Sequence, residues 1–566
     1  MFENYVSLEP RFQRAYDRLL EKFGVKNFSF TEAEEVLSDY ANKKEVLSEL
    51  EKAKLLQIKP SEEDKRKKVY RLVLIEEKVS TTKEELIRLL KNGADLIRTR
   101  VDYKVLLILL FFKAVSDKYL AKVNQYKSEG NSEEDSYVLA NYDILKMYDV
   151  EKKKLYTWQA LIDHTEFVNG LYALVELNSD ALRNFKSLID KTGLPTLFNS
   201  ENAHIAEKLK NLFGMFDFSK IPYDALGDAY EWILYYFAPT KAKEGEIYTP
   251  IEVSRLLAEL IEPQDGELIL DPACGSASML IEQFLYVYKQ GIKEPYIELI
   301  GQEANDITAV LAELNFILHG IKNYKVFIGD SLINPKFEKA DKVVANPPWN
   351  QDGYDEGTLK ENSNHREIYR FGYTNKQSAD WAWVQLINHF VKKKAAIVLD
   401  SGSLFRGGKE QQIRKVFVRF DLIDAIILLP EKIFYNTQAP GIIIVLNKKK
   451  PEERKNRILF INASQEYIQH PEVKKLNKLS DKNIKRIAKA YREYKDIEGF
   501  SSIVEERDIE KNDYNLNVSL YVTPNEEEEK INLEEEFKRL LELHKEYIEG
   551  YELVKGYLKD IKGLGG

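Results

Sequence analysis

Glu267-Leu268-Ile269-Leu270-Asp271-Pro272-Ala273-Cys274-Gly275-Ser276-Ala277-Ser278-Met279-Leu280 is an apolar run that breaks at an acid and a set of small residues before a helical pattern resumes. That order predicts a buried strand, a tight turn and a helix. Small residues in the turn let a nucleoside approach the backbone, and the helix offers free N–H groups at its amino end. A G-x-G-x-x-G loop needs three glycines and this turn has one, so a dinucleotide fits less well than a ligand with a carboxylate and no phosphate. Working outward, Ile297-Glu298-Leu299-Ile300-Gly301-Gln302-Glu303 is a second apolar run ending in a carboxylate, suited to two ribose hydroxyls. Tyr324-Lys325-Val326-Phe327-Ile328-Gly329-Asp330-Ser331-Leu332 is a third, whose acid could accept from an adenine amino group. Each acid taken singly also reads as a cap for the following helix. Strand and helix patterns alternate over residues 240–470, as a parallel, doubly wound α/β sheet requires.

A fourth run, Val343-Val344-Ala345, leads into Asn346-Pro347-Pro348-Trp349. This puts an amide side chain and two backbone carbonyls at the carboxyl edge of the sheet. Such a site suits methyl transfer to a planar exocyclic amine, whose lone pair is delocalised into the ring. The Asn346 side-chain oxygen and the Pro347 carbonyl could hold the NH2 protons and stabilise the charge that grows on nitrogen in the transition state. The prolines fix φ and remove competing donors. Trp349 could stack on the base. A proline-stiffened turn ending a strand is the plainer reading of the tetrapeptide alone, and the three acid-ended strands before it weigh against that.

On these blocks the chain resembles the modification (methylation) subunit of a type I restriction–modification system, an S-adenosylmethionine-dependent adenine-N6 DNA methyltransferase. The resemblance covers most of residues 80–450. Leu226-Gly227-Asp228-Ala229-Tyr230-Glu231 is similar to the family segment that leads into the catalytic domain, and Glu246-Ile247-Tyr248-Thr249-Pro250-Ile251 to a cofactor-contacting motif in which Ile251 replaces a frequent Arg. By the same resemblance Asp271, Ala273, Gly275, Ser276, Ala277 and Ser278 form the methionine-binding turn, Glu303 is the ribose acid, Asp330 with Ser331 the adenine contact, and Asn346 to Trp349 the catalytic motif. Beyond that motif, Ser378-Ala379-Asp380-Trp381-Ala382-Trp383 and Ser403-Leu404-Phe405-Arg406-Gly407-Gly408-Lys409-Glu410 continue the correspondence. In Leu429-Pro430-Glu431-Lys432-Ile433-Phe434-Tyr435-Asn436-Thr437 relatives place an aromatic near the extruded base, which makes Phe434 the stacking candidate. Ala277 and Ser278 stand where many relatives have Gly, and Asp400 where Pro is usual. The resemblance implies a Rossmann-like methyltransferase sheet, S-adenosylmethionine as cofactor, and partners: double-stranded DNA, a specificity subunit shared by two modification subunits, and a motor-nuclease subunit.

The 566 residues carry a net charge of −9, one Cys and seven His. A protein that grips DNA alone usually presents a basic face, so the acid balance fits a chain whose partner supplies much of the grip. The basic runs at residues 392–394 and 448–450 are candidates for a local basic cleft, or for solvated loop ends beside buried strands. The single Cys and the absence of a secretory segment indicate a reducing, cytoplasmic setting. The strongest apolar run, residues 105–112, is too short to span a bilayer and reads as a buried helix. No His pair has metal-ligand spacing, so no metal site is expected.

Four regions follow. Residues 1–75 show three amphipathic patterns and a strand pair, a small winged-helix-like or docking domain. Residues 80–238 form a helical domain, residues 240–470 the catalytic domain, and residues 471–566 a charged helical region whose apolar stripe (Leu533, Phe537, Leu540, Leu541, Tyr547, Leu553) suits docking on a partner's coiled coil. Residues 351–377 lack apolar periodicity and follow the catalytic motif directly, which suggests a mobile closing loop or a disordered insertion. The segment at 402–410 faintly suggests a phosphate loop, but Glu410 replaces the Ser/Thr that would bind magnesium, which argues against an ATPase. The competing functions are a solitary N6-adenine DNA methyltransferase, a protein-glutamine or RNA methyltransferase, and a non-catalytic scaffold.

Overall fold

The computed structural model describes residues 8–24, 27–60, 68–72, 83–97, 102–161, 164–182, 184–221, 223–241, 249–292, 294–434, 437, 439–471, 474–524, 537–545, 547–548, 550–551 and 554. Glu246, Ile247 and Tyr248 of the expected cofactor motif lie outside them, as do Val73 and Leu74 of the strand pair, Tyr435, Asn436, the acidic run 526–529, Leu533 and Leu553.

The catalytic half is built on β1 (Leu268–Asp271), β2 (Glu298–Glu303), β3 (Tyr324–Ile328), β4 (Ala340–Ala345), β5 (Val391–Asp400), β6 (Ile423–Leu428), β7 (Gly441–Asn447), β8 (Arg457–Asn462) and β9 (Ser501–Glu505). Their spatial order is β3-β2-β1-β4-β5-β7-β6-β8-β9. The pairs β1/β2, β2/β3, β1/β4, β4/β5 and β6/β8 are parallel, while β7 runs antiparallel between β5 and β6, and β9 antiparallel to β8. Successive side chains point to opposite faces, and in the middle of the sheet both faces are covered, so stretches such as residues 343–345, 395–399 and 442–446 are continuously apolar rather than alternating. Leu270, Val343 and Ile397 enter the core on one face, and Ile269, Val344 and Val398 that on the other. The order reverses between β1 and β4, which opens a crevice at their carboxyl ends. Asp271 ends β1 and Asn346 follows β4, so both flank that crevice.

The sheet runs past the boundary expected at residue 470. β9 pairs with β8 from Ile461↔Ser501 to Arg457↔Glu505, and a helix at Asp481–Glu493 buries Ile484, Ile487 and Tyr491 against the same core as β8. Charged residues on that helix's outer face masked this in the sequence, because one buried stripe suffices to dock a helix. In the C-terminal segment Phe537, Leu540, Leu541 and Tyr547 are exposed.

Three helices (Pro10–Phe23, Phe30–Val36, Lys43–Lys52) and a three-stranded sheet (Asn27–Ser29, Leu56–Pro60, Lys68–Leu72) share a small separate core at the amino end. The helical region centres on α1 (Lys104–Ser128), in which residues 105–112 are wholly buried. Among the described residues no helix is long and apolar enough to cross a membrane. The region's last helix, α2 (Tyr223–Lys241), packs on α5 (Asp306–Leu318) of the catalytic half, and the Tyr230 hydroxyl donates to the Leu311 carbonyl at 2.7 Å. The other helices that place the site are α3 (Ile251–Ile261), α4 (Ser278–Tyr288), α6 (Asp380–Phe390) and α7 (Lys409–Arg419).

The basic runs lie at the edge of the sheet opposite the crevice, where β5 begins and β7 ends, with Lys394 paired to Asn447. They are tied down there: Lys393 Nζ is 2.8 Å from Glu267 and 3.1 Å from Asp341, Lys394 donates to the Leu260 carbonyl, and Lys450 pairs with Asp421. They form no basic cleft beside the crevice.

Candidate active site

A cavity of about 470 Å3 occupies the crevice. Its floor is the turn between β1 and α4. Asp271 is fully buried, and its Oδ1 accepts the Ala273 N–H at 3.0 Å. The Cys274 N–H donates to the Gln302 carbonyl at 3.0 Å, and the Ser331 hydroxyl to the Pro272 carbonyl at 2.6 Å, so strands β2 and β3 hold the turn open. Gly301 permits this approach, since a Cβ there would lie 2.6 Å from Cys274 Sγ. Gly275 and Ala277 both have positive φ, 53° and 66°. For Ala277 that backbone costs roughly 1 kcal/mol, which a Gly would avoid.

Acids rise around this floor. Glu303 accepts from Gly275 N–H at 3.1 Å and Asn305 N–H at 2.8 Å, and burial lifts its carboxyl above the usual range despite those bonds. Burial pushes Asp271 up to about 8, with Glu303 adding to the effect, and its Oδ2 has no hydrogen-bond partner among the described residues. Asp330 Oδ1 accepts from Leu332 N–H at 2.9 Å and Oδ2 from the Tyr354 hydroxyl at 2.6 Å. Among the described residues, none lining the cavity carries a basic side chain.

Asn346 forms the far wall. Its Oδ1 accepts the Trp349 indole N–H at 2.9 Å, and its Nδ2 donates to Thr249 Oγ1 at 2.8 Å. An indole N–H can only donate, so the amide oxygen must face Trp349 and the amide has one orientation. Trp349 does not stand free as a stacking plate. It packs edge-on against Phe434, with ring centroids 4.7 Å apart at 70°, and Phe434 is 1 % exposed. The missing side chain of Gly441 makes this room, since a Cβ there would sit 2.5 Å from the Phe434 ring. Phe434, expected to stack on the base, is therefore core in this structure.

Residues 351–377 form an ordered roof. Trp383 Nε1 donates to Gln351 Oε1 at 3.1 Å, Gly353 N–H to the Lys376 carbonyl at 2.7 Å, and Thr374 Oγ1 to the Tyr354 carbonyl at 2.8 Å. Gln351, Tyr354 and Trp383 line the cavity. Polarity concealed this part in the sequence, because the segment is held by hydrogen bonds instead of an apolar stripe. Arg406 locks the base of the roof, bonding Asn350, Ser378, Asp380, Asp400 and Glu410.

Of the expected residues, Thr249, Ala273, Gly275, Ser276, Ser278, Glu303, Asp330, Ser331, Asn346 and Pro348 line the cavity. Asp271 and Ala277 lie beneath it and shape the turn. Pro347 is buried, and Pro250 and Ile251 open α3, where the Pro250 carbonyl accepts from Val253 and Ser254. Cys274 also lines the cavity, and burial raises its thiol well above the ordinary value.

A 3-2-1-4-5-7-6 strand order with an antiparallel seventh strand, acids at three successive strand ends and an oriented Asn in one crevice define a Rossmann-like methyltransferase. The comparisons with known proteins narrow that class. Residues 222–530 match the family described as N-6 DNA Methylase. The type I restriction enzyme MjaVIII methylase subunit of Methanocaldococcus jannaschii is 62 % identical over 576 aligned positions, covering 99 % of each chain. The MjaVII methylase subunit of the same organism is 49 % identical over the full length of both. The methyltransferase subunit of a type I restriction-modification system from Streptococcus thermophilus superposes with a TM-score of 0.67 at 27 % identity, covering 78 % of this chain and all of that one. The chain belongs to the N-6 DNA methylase family, and within it to the methylase subunits of type I restriction enzymes. Its activity is that of the family, methylation of DNA at adenine N6.

Proposed function

We propose that the chain methylates adenine as the modification subunit of a type I complex, using S-adenosylmethionine, with the DNA sequence read by a separate specificity subunit. The observation that carries this is the single cavity joining the β1 turn, Glu303 and Asp330 to the oriented amide of Asn346. S-adenosylmethionine, when bound, supplies an electrophilic methyl group on a sulfonium. The cavity fits such a cation, since Glu303 and Asp330 face it and no basic side chain opposes it among the described residues. Glu303 accepts from the ribose hydroxyls. Asp330 accepts from the adenine amino group of the cofactor once the Tyr354 hydroxyl yields its place. Asn346 Oδ1 and the Pro347 carbonyl would accept hydrogen bonds from the N6 amino group of a target adenine rotated out of the duplex and so orient that nitrogen for attack. In the transfer the N–C bond would form as the S–C bond breaks, with S-adenosylhomocysteine leaving and one N6 proton lost to solvent. The exposed Phe537, Leu540, Leu541 and Tyr547 suit a coiled-coil partner, which fits docking on a specificity subunit shared by two modification subunits.

The test is transfer of labelled methyl to unmodified DNA by the chain alone and with a type I specificity subunit from the same source, followed by nucleoside analysis. N6-methyladenine that requires the partner is the expected result. Transfer by the chain alone would replace this reading with a solitary methyltransferase, and transfer in neither case would overturn both.

Cofactor binding should also release protons. Asp271 is lifted to about 8 and Glu303 is raised as well, so near pH 7 Asp271 is largely protonated. A cation arriving nearby favours the ionised forms, so affinity rises with pH towards 8 and protons leave on binding. Calorimetry at pH 7 in two buffers of different ionisation enthalpy should give different observed enthalpies, in the direction of release. Equal enthalpies would refute the linkage.

A further inference from the structure

The floor of the cavity is buttressed from behind by a helix that does not belong to the sheet domain. α2, which carries the Leu226–Glu231 motif, approaches α5 so closely that a Cβ on Gly227 would lie 1.9 Å from His319 Nε2. With the Tyr230 bond to Leu311, that contact aims Glu231 at the turn between β1 and α4. Glu231 is 4 % exposed, and its Oε1 accepts from Ser278 Oγ at 2.5 Å and from Asn315 Nδ2 at 2.7 Å. Asn315 Nδ2 also donates to the Ser276 carbonyl at 2.9 Å. Two acceptors on one atom fix that atom as the amide nitrogen.

The proton order follows. Ser278 spends its only hydrogen on Glu231. In the 3.0 Å contact between Ser276 Oγ and Ser278 Oγ, Ser276 must then be the donor. Both hydroxyls line the cavity, and both have lone pairs left to offer it, polarised by the carboxylate behind them. A chain of acceptors backed by a carboxylate recognises a cation and rejects an anion.

We propose that Glu231 is a positioning residue that, acting through Ser278 and Ser276, makes this end of the cavity select the α-ammonium group of the cofactor's methionine moiety. The inference rests on the reading of the cavity as a cofactor site. The α-carboxylate is left to the backbone N–H groups of the turn. A segment of the helical region thereby sets the chemistry of a pocket in the sheet domain.

The experiment uses the full chain and two probes, S-adenosylhomocysteine and its deaminated analogue, with binding measured by calorimetry. The native protein should bind the ammonium-bearing compound on the order of 100-fold more tightly, the worth of a charge-assisted hydrogen-bond set. In Glu231→Ala that preference should fall below about 10-fold, mainly through weaker binding of the ammonium-bearing compound. Ser278→Ala, a smaller change for the case that Glu231→Ala does not fold, should lower the preference in the same way. A merely structural role would weaken both compounds equally, so an unchanged ratio in either folded variant overturns the proposal. If the native protein binds neither compound, the cofactor reading itself fails; if it binds both and never prefers the amine, only this inference fails.

Discussion

Asn346→Ala should lower kcat for methyl transfer by about 10³-fold or more while leaving S-adenosylmethionine affinity within about three-fold of the native value. The first figure is what removal of a single preorganised charge-stabilising group costs in a closed site. The second follows from the proposed binding mode, in which the contacts to ribose, adenine and methionine would come from the turn, Glu303 and Asp330 on other strands. Asn346 earns its effect through orientation as much as identity. Trp349 and Thr249 hold the two ends of the amide, so the oxygen is presented without reorganisation at the moment of reaction. Trp349→Phe is the finer probe, because it keeps a ring against Phe434 but removes the N–H that distinguishes oxygen from nitrogen. It should cost roughly 10-fold in kcat, about 1.4 kcal/mol of barrier, with the extrusion of a 2-aminopurine at the target site unchanged. If Trp349 instead served by stacking on the base, Phe would replace it at little cost and Ala would abolish extrusion. Substantial activity in Asn346→Ala would sink the assignment of this wall as the reacting centre.

The strand ends were legible because a parallel sheet leaves a local trace: a continuous apolar run, then an acid or amide where the strand meets solvent. That trace located Asp271, Glu303, Asp330 and Asn346 correctly on strand ends. It could not say which acids face the cavity. Asp271 lies beneath the cavity floor and Glu303 lines the cavity, although each closes a strand, because the outcome depends on how the turn folds back. Trp349 and Phe434, the expected stacking residues, pack against each other here, and that placement was hidden for a related reason. An aromatic beside a catalytic motif looks like a stacking plate, and only Gly441, nearly a hundred residues from Trp349, shows that the two rings are packed into one another. The reach of Glu231 to Ser278 spans 47 residues and that to Asn315 spans 84. No periodicity encodes a contact at that separation, so only the folded chain reveals it. The roof at residues 351–377 escaped for the opposite reason, since polar side chains bonding one another leave no hydrophobic pattern.

Arg406→Met should destabilise the catalytic half by about 3–5 kcal/mol, the cost of stranding buried charges by deleting their partner. Asp380 and Glu410 are 0 % and 2 % exposed, and both ion-pair with this guanidinium, Glu410 at 2.9 Å from Nε. Burial works against the Arg406 charge, yet Asp380 and Glu410 outweigh it and hold its pKa above the ordinary value. Asp380 has a further task, accepting the Asn350 N–H at 3.0 Å, where Asn350 itself has a φ of 51°. The sequence made the Arg406 segment resemble a phosphate loop, but its glycines serve a different end: they let the chain turn so that one guanidinium can gather groups from β5, α6, α7 and the segment after the catalytic motif. Losing it therefore has two separable consequences. In thermal unfolding at pH 8 the transition of the catalytic half should fall by roughly 10 °C, taking about 2–4 °C per kcal/mol for a domain of this size. With the guanidinium gone, Asp380, which burial already holds above the usual carboxylate range, loses the charge that opposes that shift, so its folded-state pKa lies further above its unfolded one. The penalty is then absent where both states are protonated and grows as pH rises through the interval between those values, so the gap to the native protein should narrow at pH 5. Methyl transfer should fall even at temperatures where the variant is folded, because the roof over Asn346 is no longer anchored. A variant that melts within about 2 °C of the native protein at pH 8, less than 1 kcal/mol on the same scale, would show that the three carboxylates are relieved by solvent and that Arg406 does not hold the site together.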